Sequence, residues 1–409
     1  MGGTFLYIGG SHTQRLAVRS LCDWGFEVHV TDREPNPPCA AETDHVHCLD
    51  ATDVPALVAL AESLNEDGAF VGAYGIADYA MPGVASVNRR IGKLSASPDA
   101  IETMIDKDAT KDALRRGGLP MPATVWAGAP EEFDPDACQV TDAAVRELIV
   151  KPADVHASRG IARVDRDDQA ALRTAVQAAG EAATTVLVEE YFEGDIWNAD
   201  ALVVDGVAYP VSVTRRTAHP SLAFLPSLQV QPRRSDDPSF AMLAALVQPI
   251  ADSLDYANGP FTADLIMTEA GPKLLEVSPH FHSIAMELLR ANGNPLRAWV
   301  RRLAGESDWR DDLAAPREAA GALAMLRATE CGRLASIDGE DALVSDPRCD
   351  DYIRMKPDGS DVASLSAGGG LLALAWWTAP DTAALESGLP ARIDGFQPRI
   401  EKSAPGVMQ

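Results

Sequence analysis

Asp264 and Glu276 stand twelve residues apart in the stretch Phe261–His280, FTADLIMTEAGPKLLEVSPH, which reads as two strands around a three-residue turn, Glu269-Ala270-Gly271. Glycine at the last turn position suits the left-handed backbone that three-residue hairpin loops need. With Thr268 and Pro272 closing the turn, Asp264 falls opposite Glu276 and Thr262 opposite Ser278. Period-two alternation puts Ala263, Leu265, Met267, Leu275 and Val277 on an apolar face. The other face carries Asp264, Glu276, Ser278 and His280. Opposed side chains on such a pair lie roughly 5 Å apart, where two carboxylates repel. A cation relieves that repulsion, and oxygen donors on a short polar face suit Mg²⁺. A solvated outer strand face that happens to carry two acids is the plain alternative.

Three earlier sites suit a phosphate-handling pocket. Lys107 opens a helix behind Asp106, a position where a lone lysine is usually solvated. Lys151 ends the β-branched run Leu148-Ile149-Val150 and precedes the loop ADVHASRGI. A lysine leaving a buried strand is costly to desolvate unless it meets an anion. The small residues Ala157, Ser158 and Gly160 let backbone N–H groups approach phosphate oxygens. Val186–Phe192, VLVEEYF, is a strand that turns polar at Glu189 and Glu190 and can offer an apolar slot with backbone contacts for a base.

The elements that must position these groups fall into three segments. Over the first hundred residues strands (Thr4–Ile8, Glu27–Thr31, Val46–Leu49, Ala69–Tyr74) alternate with helices (after Ser11, Val54–Asn65, Ala77–Arg90), the pattern of a doubly wound parallel sheet. Gly9-Gly10 after the first strand and Asp32 after the second invite a dinucleotide reading. However, Gly9-Gly10-Ser11-His12-Thr13-Gln14 lacks both the G-x-G and the third glycine, which argues against NAD. Ser97-Pro98 starts a second segment with an N-cap and an N1 proline. Ala315-Pro316 marks the next boundary, beyond which strand-like runs at Gly321–Arg327 and Gly370–Trp377 suggest a small α+β unit. The expected division is 1–96, 97–312 with a lid lobe near 120–188, and 313–409.

At 409 residues and 46% hydrophobic content the chain can bury two or three cores. A net charge of −25 opposes nucleic-acid and anionic-membrane binding. No apolar run reaches membrane-spanning length, and MGGTFLYIGG fits neither a signal peptide nor myristoylation, so a cytoplasmic protein is expected. Its six cysteines lack metal-ligand spacing.

Taken together, the Asp106-Lys107 pair, Lys151-Pro152 with its Ser-Arg-Gly loop, Glu189-Glu190-Tyr191 followed by Glu193-Gly194, and the paired acids resemble the ATP-grasp superfamily from Ser97 to about Gly305. The chain looks most like carboxylate–amine ligases related to the biotin carboxylase and carbamoyl phosphate synthase groups. The resemblance implies an N-terminal Rossmann-like sheet, a central two-lobed α+β ATP-grasp fold and a C-terminal α+β domain. It implies an ATP-dependent ligase that joins a carboxylate, such as an amino acid, to an amine through an acyl phosphate. ATP and Mg²⁺, or Mn²⁺, would be its cofactors, and its partners small molecules; a homodimer is compatible with it.

By position, the resemblance assigns Lys107 and Lys151 to the ATP phosphates. Ala157, Ser158 and Gly160 would belong to the closing loop. Glu189 would meet the adenine amino group, with Glu190, Tyr191 and Phe192 beside it. Asp264, Glu276 and Ser278 would hold the metal. Arg216, with Arg215 almost as good, would contact the transferred phosphate. The chain also departs from the family. Ser278 and His280 replace the asparagine and arginine of the usual Glu-x-Asn-x-Arg ending, so a catalytic His280 would bring a group that titrates near neutrality. Ile196 stands where a ribose-binding acid is usual, with Asp195 its neighbouring substitute. These departures leave open a catalytically weak Mg-ATP-binding subunit. ATP-dependent carboxylation with another acceptor is a further alternative.

Overall fold

The computed structural model describes residues 2–138, 140, 145–153, 160–219, 222–282, 293–314, 319–363 and 370–402. The predicted alternation at the N-terminus is present: β1 (Thr4–Ile8), β2 (Glu27–Asp32), β3 (Val46–Cys48) and β4 (Phe70–Tyr74) form a parallel sheet ordered β3-β2-β1-β4. β1 and β4 are buried along their length, as expected of strands covered on both faces. Asp32 Oδ2 accepts from Gly10 N at 2.8 Å and Oδ1 from Glu34 N at 2.9 Å, so this carboxylate fastens the glycine turn.

The second sheet is the lid: β5 (Thr124–Gly128), β6 (Glu147–Pro152), β7 (Ala162–Asp165) and β8 (Val186–Glu190), ordered β5-β8-β6-β7. Its core includes Leu148, Val150, Val176 and Val188, packed beneath the helix Gln169–Gly180.

β9 (Asp195–Val204), β10 (Val207–His219), β11 (Leu222–Gln231), β12 (Gly259–Thr268) and β13 (Gly271–Ser278) form the antiparallel floor. The C-terminal segment supplies β14 (Ala320–Arg327), β15 (Gly332–Asp338), β16 (Cys349–Arg354), β17 (Asp361–Val362), β18 (Leu371–Ala379) and β19 (Gln397–Glu401). Three of these extend the floor into one eight-stranded sheet, β13-β12-β9-β10-β11-β14-β18-β16, while β17-β15-β19 form a small sheet beside it. The C-terminal strands are thus hydrogen-bonded directly to the central ones: Val230 faces Ala322 across β11 and β14. The expected boundary at Ala315-Pro316 lies outside the described residues.

The hairpin register agrees at the acids and differs at the turn. Asp264 pairs with Glu276 and Thr262 with Ser278, but Thr268 pairs with Gly271, so the turn is only Glu269-Ala270. A bulge between Asp264 and Leu265 inserts one residue and restores the pairing at the acids. In consequence Leu274 enters the core, while the expected core residue Leu275 faces the cavity described below.

Candidate active site

A cavity of about 850 Å³ lies between the lid and the floor, and residues of all three segments line it: Asp78 and Tyr79, the central residues, then Met325, Arg327 and Leu371. Its positive end is built where the helix Lys107–Arg116, which precedes the lid, meets β6 and β8 of the lid. Asp106 caps the helix Lys107–Arg116, accepting from Asp108 N at 2.9 Å and Ala109 N at 3.0 Å. Lys107 and Lys111 therefore share one helix face. Across β6 and β8, Glu189 lies opposite Ile149, two residues from Lys151. Its carboxylate bonds to Lys111 Nζ and lies 2.8 Å from Lys151 Nζ, with its side chain 2% exposed.

Burial alone would raise the pKa of Glu189, but the two ammonium groups overcome it and pull the carboxyl down to about 2. Burial lowers Lys111 to about 8 against the attraction of Glu189. Lys151 is equally desolvated, yet Glu189 holds it above its ordinary value. Two ammonium groups around one carboxylate leave a net positive charge where an anion can approach.

Asp264 and Glu276 stand on the floor at the other end. Asp264 Oδ2 lies 2.7 Å from Arg216 Nη1, and Oδ1 accepts from Asn198 Nδ2. Burial raises the Asp264 pKa, Arg216 opposes that rise, and Glu276 adds to it. Glu276, 40% exposed, lies 3.6 Å from Lys107 Nζ. Beside them Asn198 Oδ1 is buried without a hydrogen-bond partner. Two opposed carboxylates and a spare amide oxygen are a hard-oxygen donor set that fits Mg²⁺, which commonly completes its shell with water and substrate phosphates.

Several assignments change in detail. Arg215 extends away to Glu386 at 2.5 Å, so of this pair Arg216 is the one that lines the cavity. Asp195 is exposed and does not line the cavity: alternation turns Ile196 and Asn198 inward, and Asp195 lies on the face of Trp197. Glu190, Tyr191 and Phe192 do line it. The Tyr191 N–H is committed to Glu147 O at 3.0 Å, and Phe192 carries Lys273 Nζ 4.5 Å from its ring centre. An adenine contact through the Glu189 carboxylate would compete with two lysines. Gly160 is exposed outside the cavity lining, and Ala157 and Ser158 fall outside the described residues.

His280 borders the cavity, but both its ring nitrogens are engaged: Nδ1–H donates to Phe281 O at 2.8 Å, and Nε2 lies 3.2 Å from Asp78 Oδ1. Burial disfavours its charge, yet Asp78 raises its pKa overall. The contact with Asp78 ties the floor to the segment that follows β4.

Sequence reading missed Lys111, Asn198, Asp200 and Arg327. The i, i+4 spacing from Lys107 could have found Lys111, and alternation from Ile196 places Asn198 and Asp200 on one face. Buried Asp200 accepts from His282 N at 2.9 Å and Ser212 Oγ at 3.0 Å, and burial pushes it up to about 6.

Residues 104–283 match the family model described as an ATP-grasp domain. The chain is 30% identical over 274 residues to a phosphoribosylamine–glycine ligase of Phenylobacterium zucineum, covering 60% of this chain and 60% of that relative. The chain therefore spans less than two thirds of that relative's length. Its fold is similar to an L-amino acid ligase of Bacillus licheniformis, with a TM-score of 0.78 at 14% identity over 98% of this chain and 99% of that one. It is also similar to the biotin carboxylase domain of a Hydrogenobacter thermophilus 2-oxoglutarate carboxylase in complex with MgADP and bicarbonate. There the TM-score is 0.72 at 14% identity, over 97% of this chain and 90% of that one. No helix among the described residues is long and apolar enough to cross a membrane.

Proposed function

We propose, for a chain that carries an ATP-grasp domain over residues 104–283, that it is an ATP-dependent ligase joining a small carboxylic acid to an amine. The observation that carries this reading is the pairing of a buried, net-positive Lys111–Glu189–Lys151 cluster with the opposed acids Asp264 and Glu276 at one cavity. The three relatives above, named for ligase or carboxylase activity, support it.

Bound Mg-ATP supplies a transferable phosphoryl group and shields its charge. Lys107 and Lys151 would hold phosphate oxygens, Asp264 and Glu276 the metal, with Ser278 beside them. Glu190, Tyr191 and Phe192 would border the base. Arg216 would turn toward the transferred phosphate once a metal relieves it of Asp264. Arg327, whose Nε is buried without a partner, offers a further cation for an anionic substrate. An acid's carboxylate oxygen would take the phosphoryl group as ADP leaves. The amine nitrogen would then attack the acyl carbon, expelling phosphate and losing a proton. The protein contributes orientation and a preorganised field.

An ADP-release screen of amino acids and small carboxylates, with and without amines, tests this reading. Hydroxylamine should trap the acyl phosphate as a hydroxamate. If no carboxylate stimulates ADP release, the reading is wrong.

A further inference from the structure

Glu27 and His29 on β2 gather with His45, which directly precedes β3, and His47 on β3, and none of the four lines the cavity. Glu27 and His29 alternate onto one face of β2. The parallel register that sets Thr31 beside His47 brings His45 level with His29 on that face. The His29 ring stacks on His45 at 4.6 Å and 20°, and on His47 at 5.1 Å and 17°. The stacking holds the three rings side by side, next to the Glu27 carboxylate that meets His29 Nε2 at 2.9 Å.

We propose that Glu27, His29 and His45 bind one divalent transition metal of the Zn²⁺ class. Their ligand atoms lie within 4.8 Å of one another, the one such grouping of three among the described residues. His29 is buried and fixed, whereas Glu27 and His45 are exposed, so the latter two can close onto an ion that arrives from solvent. His29 Nε2, 2.9 Å from Glu27 Oε1, is the nitrogen that faces the ion. Without an ion its Nε2–H donates to the Glu27 carboxylate, which can only accept; an ion would take that proton's place, and Nδ1, 2.8 Å from His47 Nε2, is placed to carry a proton shared with His47. A second ring contact of this kind commonly orients a metal-bound histidine. Two imidazoles and one carboxylate favour Zn²⁺, Ni²⁺ or Co²⁺ over Mg²⁺, and leave a position for water. The ion joins β2 to the residue that leads into β3, a three-residue edge strand, and so acts apart from the cavity.

Equilibrium dialysis of the full chain against Zn²⁺, with millimolar Mg²⁺ and ATP present to fill oxygen sites, tests the proposal. Wild type should retain one more Zn²⁺ than His45→Ala, whose exposed position spares the fold. Glu27→Gln should weaken retention, and His47→Ala should weaken it by about 10–100-fold. With Co²⁺, wild type should show visible ligand-field absorption that His45→Ala lacks. Equal Zn²⁺ content and equal Co²⁺ spectra in these two proteins would overturn the proposal, as would a wild type that takes up no Zn²⁺. Thermal unfolding in EDTA should be the same for both, which separates lost metal from lost fold.

Discussion

The Lys111–Glu189–Lys151 cluster and the Asp264–Glu276 pair flank the same cavity but balance their charges differently. In the first, the Glu189 side chain is 2% exposed and is held by two lysines from separate elements, so its arrangement is complete before any ligand arrives. In the second, Glu276 is 40% exposed and meets Lys107 only at 3.6 Å, while Asp264 shares Arg216. Buried charges must be matched when the chain folds, because an unmatched one has no water to turn to. Partly solvated charges can exchange partners at modest cost. The helix Lys107–Arg116 and the lid thus share a fixed, net-positive cluster, and the floor holds acids whose protein cations are only loosely engaged.

The sharpest way to break this contrast is to remove the centre of the buried cluster. Glu189→Gln leaves two ammonium groups facing each other without a counter-charge, and should cost about 3–5 kcal/mol of stability. Denaturant unfolding should show that loss, and calorimetry should show nucleotide binding abolished. Asp264→Asn should behave oppositely. Its stability should stay within about 1 kcal/mol of wild type, because the site is partly solvated. On the proposed metal role of Asp264, Mg²⁺-dependent ADP formation should fall by roughly 100-fold or more, and EDTA should abolish the wild-type activity. If Asp264→Asn unfolds the protein as Glu189→Gln does, the contrast fails.

A pH series refines the fixed half of the comparison. Lys111 is lowered to about 8, so above that pH the cluster falls from net positive toward neutral. ATP affinity measured from pH 7 to 9.5 should weaken in wild type and stay nearly flat in Lys111→Met. An equal slope in both would remove Lys111 from the field that the phosphate meets. The smallest effect concerns Asp200. Its folded pKa, about 6, is raised above its ordinary value of 3.8, so the folded state binds more protons between those values. Stability from this group therefore falls as pH rises from about 4 to 6. Asp200→Asn should remove that slope, so its melting temperature should gain on wild type between pH 4.5 and 7.5.

What the sequence revealed follows from what one strand can say about itself. Alternation placed Asp264 against Glu276 because a two-residue turn and a bulge offset each other, so the acids agree while Leu274 and Leu275 exchange roles. Local signals found Ser97, which caps its helix by accepting from Ala100 N, and Asp106. They could not find Lys111, since a lysine inside a helix looks solvated until its partner, 78 residues away, is known. Arg215 and Arg216 were inseparable for the same reason: the face each presents depends on which strands flank β10. The reach of β14 across to β11 was equally hidden, because strand patterns predict strands and not their neighbours.

That last pairing has a consequence for synthesis on the ribosome. Residues Leu228–Gln231 wait with one backbone edge open until Gly321–Ala324 emerge, about ninety residues later. A strand edge left open for that interval is a template for pairing with other nascent chains. Slow translation or truncation before β14 should therefore favour aggregation over a partly folded, active core.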